Sequence, residues 1–183
     1  MGVEIERRFL VSIHSLPAGL DRLRHLDIEQ GYTDGIRLRR SIDVEGVEKF
    51  ETCIKKGSGW VRIENENRMP EAAFWRNWDR TRGARLQKMR YFKPWKGYVI
   101  EINILRNKLE PLVLAEVEFR SKRQARVFTP PSWFGRDVTD DERYTGSCLA
   151  RYGLDGAKRS LEPIRKEVMA LNNPKLLRGE RAA

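Results

Sequence analysis

A chain of 183 residues suits one domain with a sizeable buried core. With 40% apolar and 34% charged residues it holds too many aliphatic and tryptophan side chains for disorder, and no stretch is suited to a signal peptide or a bilayer span, so a soluble, cytoplasmic protein without a membrane partner is expected. A net charge of +10 favours an anionic partner without choosing among nucleotides, polyphosphate and nucleic acid, and Cys53 and Cys148, lacking metal-type spacing, read as reduced thiols.

The first predicted strand is Val3–Val11. Residues two apart in a strand share a face, so Glu4, Glu6 and Arg8 lie on one side and Val3, Ile5 and Phe9 on the other. Strands follow at Ile28–Thr33, Ile36–Ile42 and Val47–Lys55, separated by Asp34-Gly35 and Glu45-Gly46, turn pairs that imply hairpins and antiparallel pairing. Lys56-Gly57-Ser58-Gly59 leads to Trp60–Asn67, and Pro70–Asp79 reads as a helix opened by Pro70 at a first-turn position. Arg85–Phe92 and Tyr98–Leu105 flank Lys96-Gly97, and Leu112–Phe119 is the last strand. Ser121–Phe128 reads as a helix capped by Ser121, and Pro130-Pro131 as a loop. Helix is expected from Thr145 onward, with Leu161, Ile164, Val168 and Leu171 at helical spacing across Ala157–Leu171. Residues 1–155 form one expected domain; residues 156–183 form a helical extension whose polar, basic end frays. About eight strands with hairpin signals predict an all-β core (α+β overall), a barrel or a sandwich with flanking and C-terminal helices.

The charged residues repeat at i, i+2 along the strands. Arg37 and Arg39 do so, then Arg62, Glu64 and Glu66, then Lys88 and Arg90, then Glu101 and Asn103, then Glu116 and Glu118. One reading is an ordinary half-buried sheet with charges in solvent. The other is a barrel whose apolar faces are covered from outside and whose charges line a lumen. No Ser, Thr or Gln is among the residues assigned to these faces, unlike an ordinary solvent face. Glutamates bind hard divalent cations through oxygen, and arginine and lysine bind phosphate oxygens, so a lumen with both suits a metal–polyphosphate complex.

These motifs resemble the CYTH superfamily, the triphosphate tunnel metalloenzymes. Glu4-Ile5-Glu6-Arg7-Arg8-Phe9 is similar to its ExExK signature, and the likeness runs in order through Gln30-Gly31-Tyr32, Ile36-Arg37-Leu38-Arg39, Arg62-Ile63-Glu64-Asn65-Glu66, Lys88-Met89-Arg90-Tyr91, Glu101-Ile102-Asn103 and Ala115-Glu116-Val117-Glu118 to Asp141-Glu142-Arg143-Tyr144. The resemblance implies an eight-stranded antiparallel barrel, a Mg²⁺ or Mn²⁺ cofactor and hydrolysis of a triphosphate, with inorganic tripolyphosphate the first expectation. It implies metal ligands at Glu4, Glu6, Glu116 and Glu118, phosphate-binding cations at Arg8, Arg37, Arg39, Lys55, Arg62, Lys88, Arg90 and Arg143, and catalytic roles for Arg8, Glu64, Glu66 and Glu101. The chain departs from the pattern at Arg8, where the signature has lysine, and at Asn103, where an aspartate is usual.

The rival functions are an adenylate cyclase, which would turn ATP into cyclic AMP and pyrophosphate, and a module that binds polyphosphate without turnover. A homodimer is compatible with either. Specific nucleic-acid binding is not expected, because Trp75, Trp78, Trp95 and Trp133 read as packing between helices and barrel. His14 and His25 read as surface residues and Cys53 as a small buried side chain. The run Lys158, Arg159, Arg165 and Lys166 reads as a solvated face, with a lid over the lumen as its functional alternative.

Overall fold

The computed structural model describes residues 2–57, 60–156 and 162–177, with all of their side chains except those of Lys55, Lys56, Leu176 and Leu177. Eight strands are present: β1 (Gly2–Val11), β2 (His25–Thr33), β3 (Ile36–Asp43), β4 (Glu48–Lys56), β5 (Val61–Arg68), β6 (Arg85–Trp95), β7 (Tyr98–Leu105) and β8 (Val113–Glu118). They close into a barrel in the order β1-β5-β4-β3-β2-β6-β7-β8, antiparallel at every pair. Closure leaves no strand with an unpaired edge. Asp34-Gly35 and Lys96-Gly97 each make a two-residue hairpin loop with φ positive at both positions, the primed turn whose twist matches that of the flanking strands.

The outward faces are buried over part of the barrel. Ile5, Phe9 and Val11 of β1, Ile100 and Ile102 of β7, and Val113, Ala115 and Val117 of β8 form one apolar cluster. The helix α2 (Lys122–Val127) closes it with Ala125, and Phe119 and Phe128 close its flanks. Each large apolar side chain so covered contributes about 1.5–3 kcal/mol. As expected, Ser121 caps α2, accepting from Gln124 N at 3.2 Å. The helix α1 (Glu71–Trp78) follows Pro70, which is its N-cap, and sets Phe74 against Phe50, ring centroids 5.0 Å apart. Trp78 stacks on Phe74 at 4.9 Å, the packing role expected of these tryptophans. Gly31 of β2 lies under Thr81: a Cβ there would stand 2.5 Å from the Thr81 hydroxyl oxygen.

The inward face is not charged along its whole length. On β1 the series Glu4, Glu6, Arg8 ends in Leu10, and on β8 Glu116 and Glu118 are preceded by Leu114. Leu86 of β6 and Leu105 of β7 have the same relation to Lys88 and Asn103. These four leucines form a second apolar cluster with Tyr144 and with Leu149 and Ala150 of α3 (Gly146–Tyr152). One end of the barrel interior is therefore packed rather than wet.

The C-terminal extension joins that cluster through Ile164 and Val168. The single helix expected over Ala157–Leu171 is shorter: α4 begins at Arg165 and ends at Leu171, followed by α5 (Pro174–Leu177). Pro163 explains the late start, since a proline inside a helix removes a hydrogen bond and clashes with the preceding turn. Leu161, Lys158 and Arg159 lie outside the described residues. Among the described residues no helix is long and apolar enough to cross a membrane.

Candidate active site

A cavity of about 710 Å³ occupies the barrel lumen. From β1 it receives Glu4, Glu6 and Arg8, from β8 Glu116 and Glu118, and from β7 Glu101. Arg62, Glu64 and Glu66 face it from β5, Arg37 and Arg39 from β3, and Lys88 and Arg90 from β6. The two-residue repeat thus turns every one of these side chains to the same space. Lys55 lies in β4, but its side chain is outside the described residues. Cys53 of β4 is buried and also lines the lumen, its thiol donating to Glu64 Oε1 at 2.8 Å.

Arg143 does not reach this cavity. Its guanidinium folds back on Asp141, donating from Nε at 2.8 Å and from a terminal nitrogen at 2.6 Å. Arg151 of α3 lines the lumen instead. Gln30 and Tyr32 of β2 also line it, as do Thr139, Asp140 and Thr145. Sequence reasoning gave these no role, because Gln30 and Tyr32 carry no charge and Thr139, Asp140 and Thr145 lie outside the strands. The Gln30-Gly31-Tyr32 motif was the available signal. His14 is exposed, and His25 lies at the start of β2 with its ring 5.2 Å from Tyr91.

The acidic residues are not evenly spread: Glu64 and Glu66 lie by Cys53 and Arg37, Glu101 by Arg90, and three others form a cluster. Glu4, Glu6 and Glu118 can each offer an oxygen within 4.8 Å of the others. Arg62 reaches Glu4 at 3.2 Å and Glu6 at 3.1 Å, but Glu118 gains little from it. Glu118 as a residue is exposed, yet partial burial of its carboxyl, then Glu101, Glu4 and Glu6, push that carboxyl up to about 7. Glu6 is raised as well, first by burial and then by Glu116. Carboxylates crowded together with too little positive charge fit a hard divalent cation bound through oxygen.

Glu116, expected as a fourth ligand, is placed differently. Its Oε1 accepts from Arg8 Nε at 2.7 Å, and its Oε2 accepts from Arg90 at 2.8 Å and from the Asn103 amide at 2.8 Å. Burial pushes its carboxyl up, but Arg8, Lys88 and Arg90 together hold it well below the usual carboxylate range. Glu116 is the ionised anchor of the cation wall, one step behind the three-glutamate group. Asn103 serves the same wall, accepting from Arg90 Nε at 2.7 Å. An aspartate in its place could not donate to Glu116 while ionised.

The cations also divide. Arg8, Arg37, Arg62 and Arg90 are each ion-paired with glutamates, Arg37 with Glu66 at 2.8 Å and Arg90 with Glu101 as well as Glu116. Arg39 and Lys88 make no hydrogen bond or ion pair among the described residues, and Arg39 Nε, Arg37 Nε and Arg8 Nη1 are buried donors without a partner. Burial and the neighbouring Arg37 and Arg90 lower the Arg39 guanidinium to about 10. Burial and Arg90 depress Lys88 well below its ordinary value. Buried donors with positive neighbours and no acceptor present the arrangement that an anion rich in oxygens completes.

No family model matches the chain. An inorganic triphosphatase of Nitrosomonas europaea is 40% identical over 152 residues, covering 80% of this chain and 96% of that protein. An inorganic triphosphatase of Acetivibrio thermocellus is 31% identical over 157 residues, 82% of this chain and 95% of that protein. A crystal structure of the inorganic triphosphatase NE1496 superposes with a TM-score of 0.59 at 35% identity, covering 82% of this chain and 96% of that one.

Proposed function

The chain belongs to the CYTH superfamily, the triphosphate tunnel metalloenzymes, and from this we propose that it is a metal-dependent hydrolase of triphosphate phosphoanhydride bonds, with inorganic tripolyphosphate as substrate and Mg²⁺ or Mn²⁺ as cofactor. The observation that carries this reading is the sorting of charge in one lumen: three oxygen donors within 4.8 Å of one another, and two cations, half-buried Arg39 and buried Lys88, that face the same cavity without an ion pair among the described residues.

Glu4, Glu6 and Glu118 would hold the metal, with Glu116 behind them fixing Arg8 and Arg90. A bound divalent cation supplies charge neutralisation at phosphate oxygens as the bridging P–O bond breaks. Arg39 and Lys88 bind phosphate oxygens directly. Arg8, Arg37 and Arg62 turn their remaining donors to the same phosphates while their glutamate contacts hold them rigid. Fixed donors of this kind stabilise developing charge with no reorganisation during the reaction. A bare triphosphate, with charge along its whole length, also suits a lumen to which β1, β3, β5, β6, β7 and β8 each turn charged side chains.

Purified protein assayed with tripolyphosphate, ATP and thiamine triphosphate tests this, with Mg²⁺ and Mn²⁺ in parallel. The expected result is metal-dependent orthophosphate release, greatest from tripolyphosphate. Cyclic AMP and pyrophosphate as products, or the absence of turnover with every substrate, would overturn it.

A further inference from the structure

Gln30 is the one uncharged amide that lines the charged lumen from β2, and the residue is 3% exposed. Its Nε2 donates to the Tyr32 hydroxyl at 2.6 Å. Its Oε1 is buried and has no hydrogen-bond partner among the described residues. A buried acceptor left unpaired costs about 1–3 kcal/mol, so this oxygen calls for a donor. The neighbouring protein groups do not supply one. Arg39 lies directly opposite Gln30 across the β2–β3 pair, yet its Nε is also unpartnered.

Beside Gln30 lies a cavity of about 20 Å³. Gln30, Lys88, Glu116 and Gly146 line both this cavity and the main lumen, and the packed leucines Leu86, Leu105 and Leu114 form its far wall. About 10–15 Å³ is enough for one water molecule, provided that two to four polar groups surround it. Both conditions hold here. A phosphate ion does not fit in that volume, and the apolar wall rules out a deeper anion site.

We propose that Gln30 is a catalytic residue that holds the attacking water, seated in this cavity between its Oε1 and the Lys88 amine, against a phosphoryl group bound by Lys88 and Arg39. This rests on the triphosphatase reading above and names the nucleophile's site within it. The water donates one hydrogen bond to Gln30 Oε1 and accepts one from Lys88, which fixes the direction of its second lone pair. Its oxygen then bonds to phosphorus, and the bridging P–O bond breaks with its electron pair on the departing phosphate, which takes up the proton that the water loses. Gln30 accepts a hydrogen bond and no proton. Gly146 keeps the amide in place: a Cβ there would meet Gln30 Nε2 at 3.0 Å and the Tyr32 hydroxyl at 2.2 Å.

Two measurements test this. In Gln30→Ala, kcat for tripolyphosphate is expected to fall about tenfold or more, the effect of losing one transition-state hydrogen bond, with KM within about twofold of wild type. Gln30→Glu, which retains an acceptor at the same reach, is expected to recover most of kcat while KM rises through repulsion of the substrate. A rise in KM with kcat unchanged in Gln30→Ala would overturn the proposal, because it would make Gln30 a substrate-binding group only. The second measurement does not depend on turnover: a high-resolution crystal structure with Mg²⁺ and a non-hydrolysable imido analogue of tripolyphosphate. An ordered water within hydrogen-bond reach of Gln30 Oε1 supports the assignment, and its absence, or an amide turned to donate to phosphate, overturns it. Failure of the triphosphatase reading itself would appear separately, as a wild-type protein that releases no phosphate.

Discussion

Arg8 lies directly opposite Glu116 across the β1–β8 pair, and its Nε donates to Glu116 Oε1 at 2.7 Å. The same guanidinium donates from a terminal nitrogen to Glu6 Oε1, also at 2.7 Å. One planar cation therefore ties a metal-group glutamate to the anchor of the phosphate wall. An ammonium is a point charge and has no fork with which to span two such oxygens in fixed directions.

Arg8→Lys should therefore lower stability although the charge is kept. Loss of one buried charge-assisted hydrogen bond costs about 1–3 kcal/mol. Thermal unfolding should show a lower midpoint than wild type without metal, with part of the loss recovered by Mg²⁺. An unchanged midpoint would mean that lysine satisfies both glutamates.

The Glu118 carboxyl, raised to about 7, predicts a pH dependence of stability. A raised carboxyl means that the folded state binds more protons than the unfolded state between its ordinary value near 4.5 and about 7. Its stabilising contribution is full below about 4.5 and is lost as pH rises through that window to about 7. Metal-free Glu118→Gln should accordingly gain stability relative to wild type across this window, and saturating Mg²⁺ should reverse the order at pH 8. Parallel pH profiles for the two proteins would contradict the crowding seen at Glu4, Glu6 and Glu118.

Lys88→Met removes a buried cation that has no partner among the described residues. Its apolar replacement has similar length and avoids the desolvation cost. The thermal midpoint should hold or rise, while KM for tripolyphosphate rises about tenfold or more. A variant that lost stability and kept its substrate affinity would show Lys88 to be structural.

Gly31 carries a packing role inside the Gln30-Gly31-Tyr32 motif. A methyl group at this position would lie 2.5 Å from the Thr81 hydroxyl oxygen, too close for alanine, so Gly31→Ala should destabilise by about 1–3 kcal/mol. Thr81→Gly has its own cost, since the buried Thr81 hydroxyl donates to Trp78 O and accepts from Arg85 Nε, but in that background Gly31→Ala should cost much less in urea unfolding than in wild type, because the three atoms nearest that methyl all belong to Thr81.

Most of the fold was legible in the chain because its signals are local. The alternation in Glu4-Ile5-Glu6 and Arg62-Ile63-Glu64 states which face each side chain takes once a strand forms. Asp34-Gly35 states where the chain turns back. Which charged residues share a face followed from those two rules; that the face lines a lumen did not. Less legible were residues whose role depends on a distant neighbour or on a partner's exact reach. Arg143 reads like a phosphate-binding cation, and the sequence does not show that its guanidinium pairs with Asp141. Glu116 reads like a metal ligand, and the sequence does not show that Arg8, Arg90 and Asn103 from three strands hydrogen-bond to its oxygens. Gln30 carries no charge to mark it.

By itself the sequence determined the strands, which residues share a face and the presence of both signs of charge on one of those faces, since period and turn chemistry act within a few residues; barrel closure decided that this face points inward. Only the tertiary structure decided which charges cancel one another. Barrel closure and strand stagger set the distances that pair Arg62 with Glu4 and Glu6, bring Glu118 against the same acidic group and leave Arg39 and Lys88 without an ion pair among the described residues. Coulomb and hydrogen-bond energies change steeply over those few ångströms.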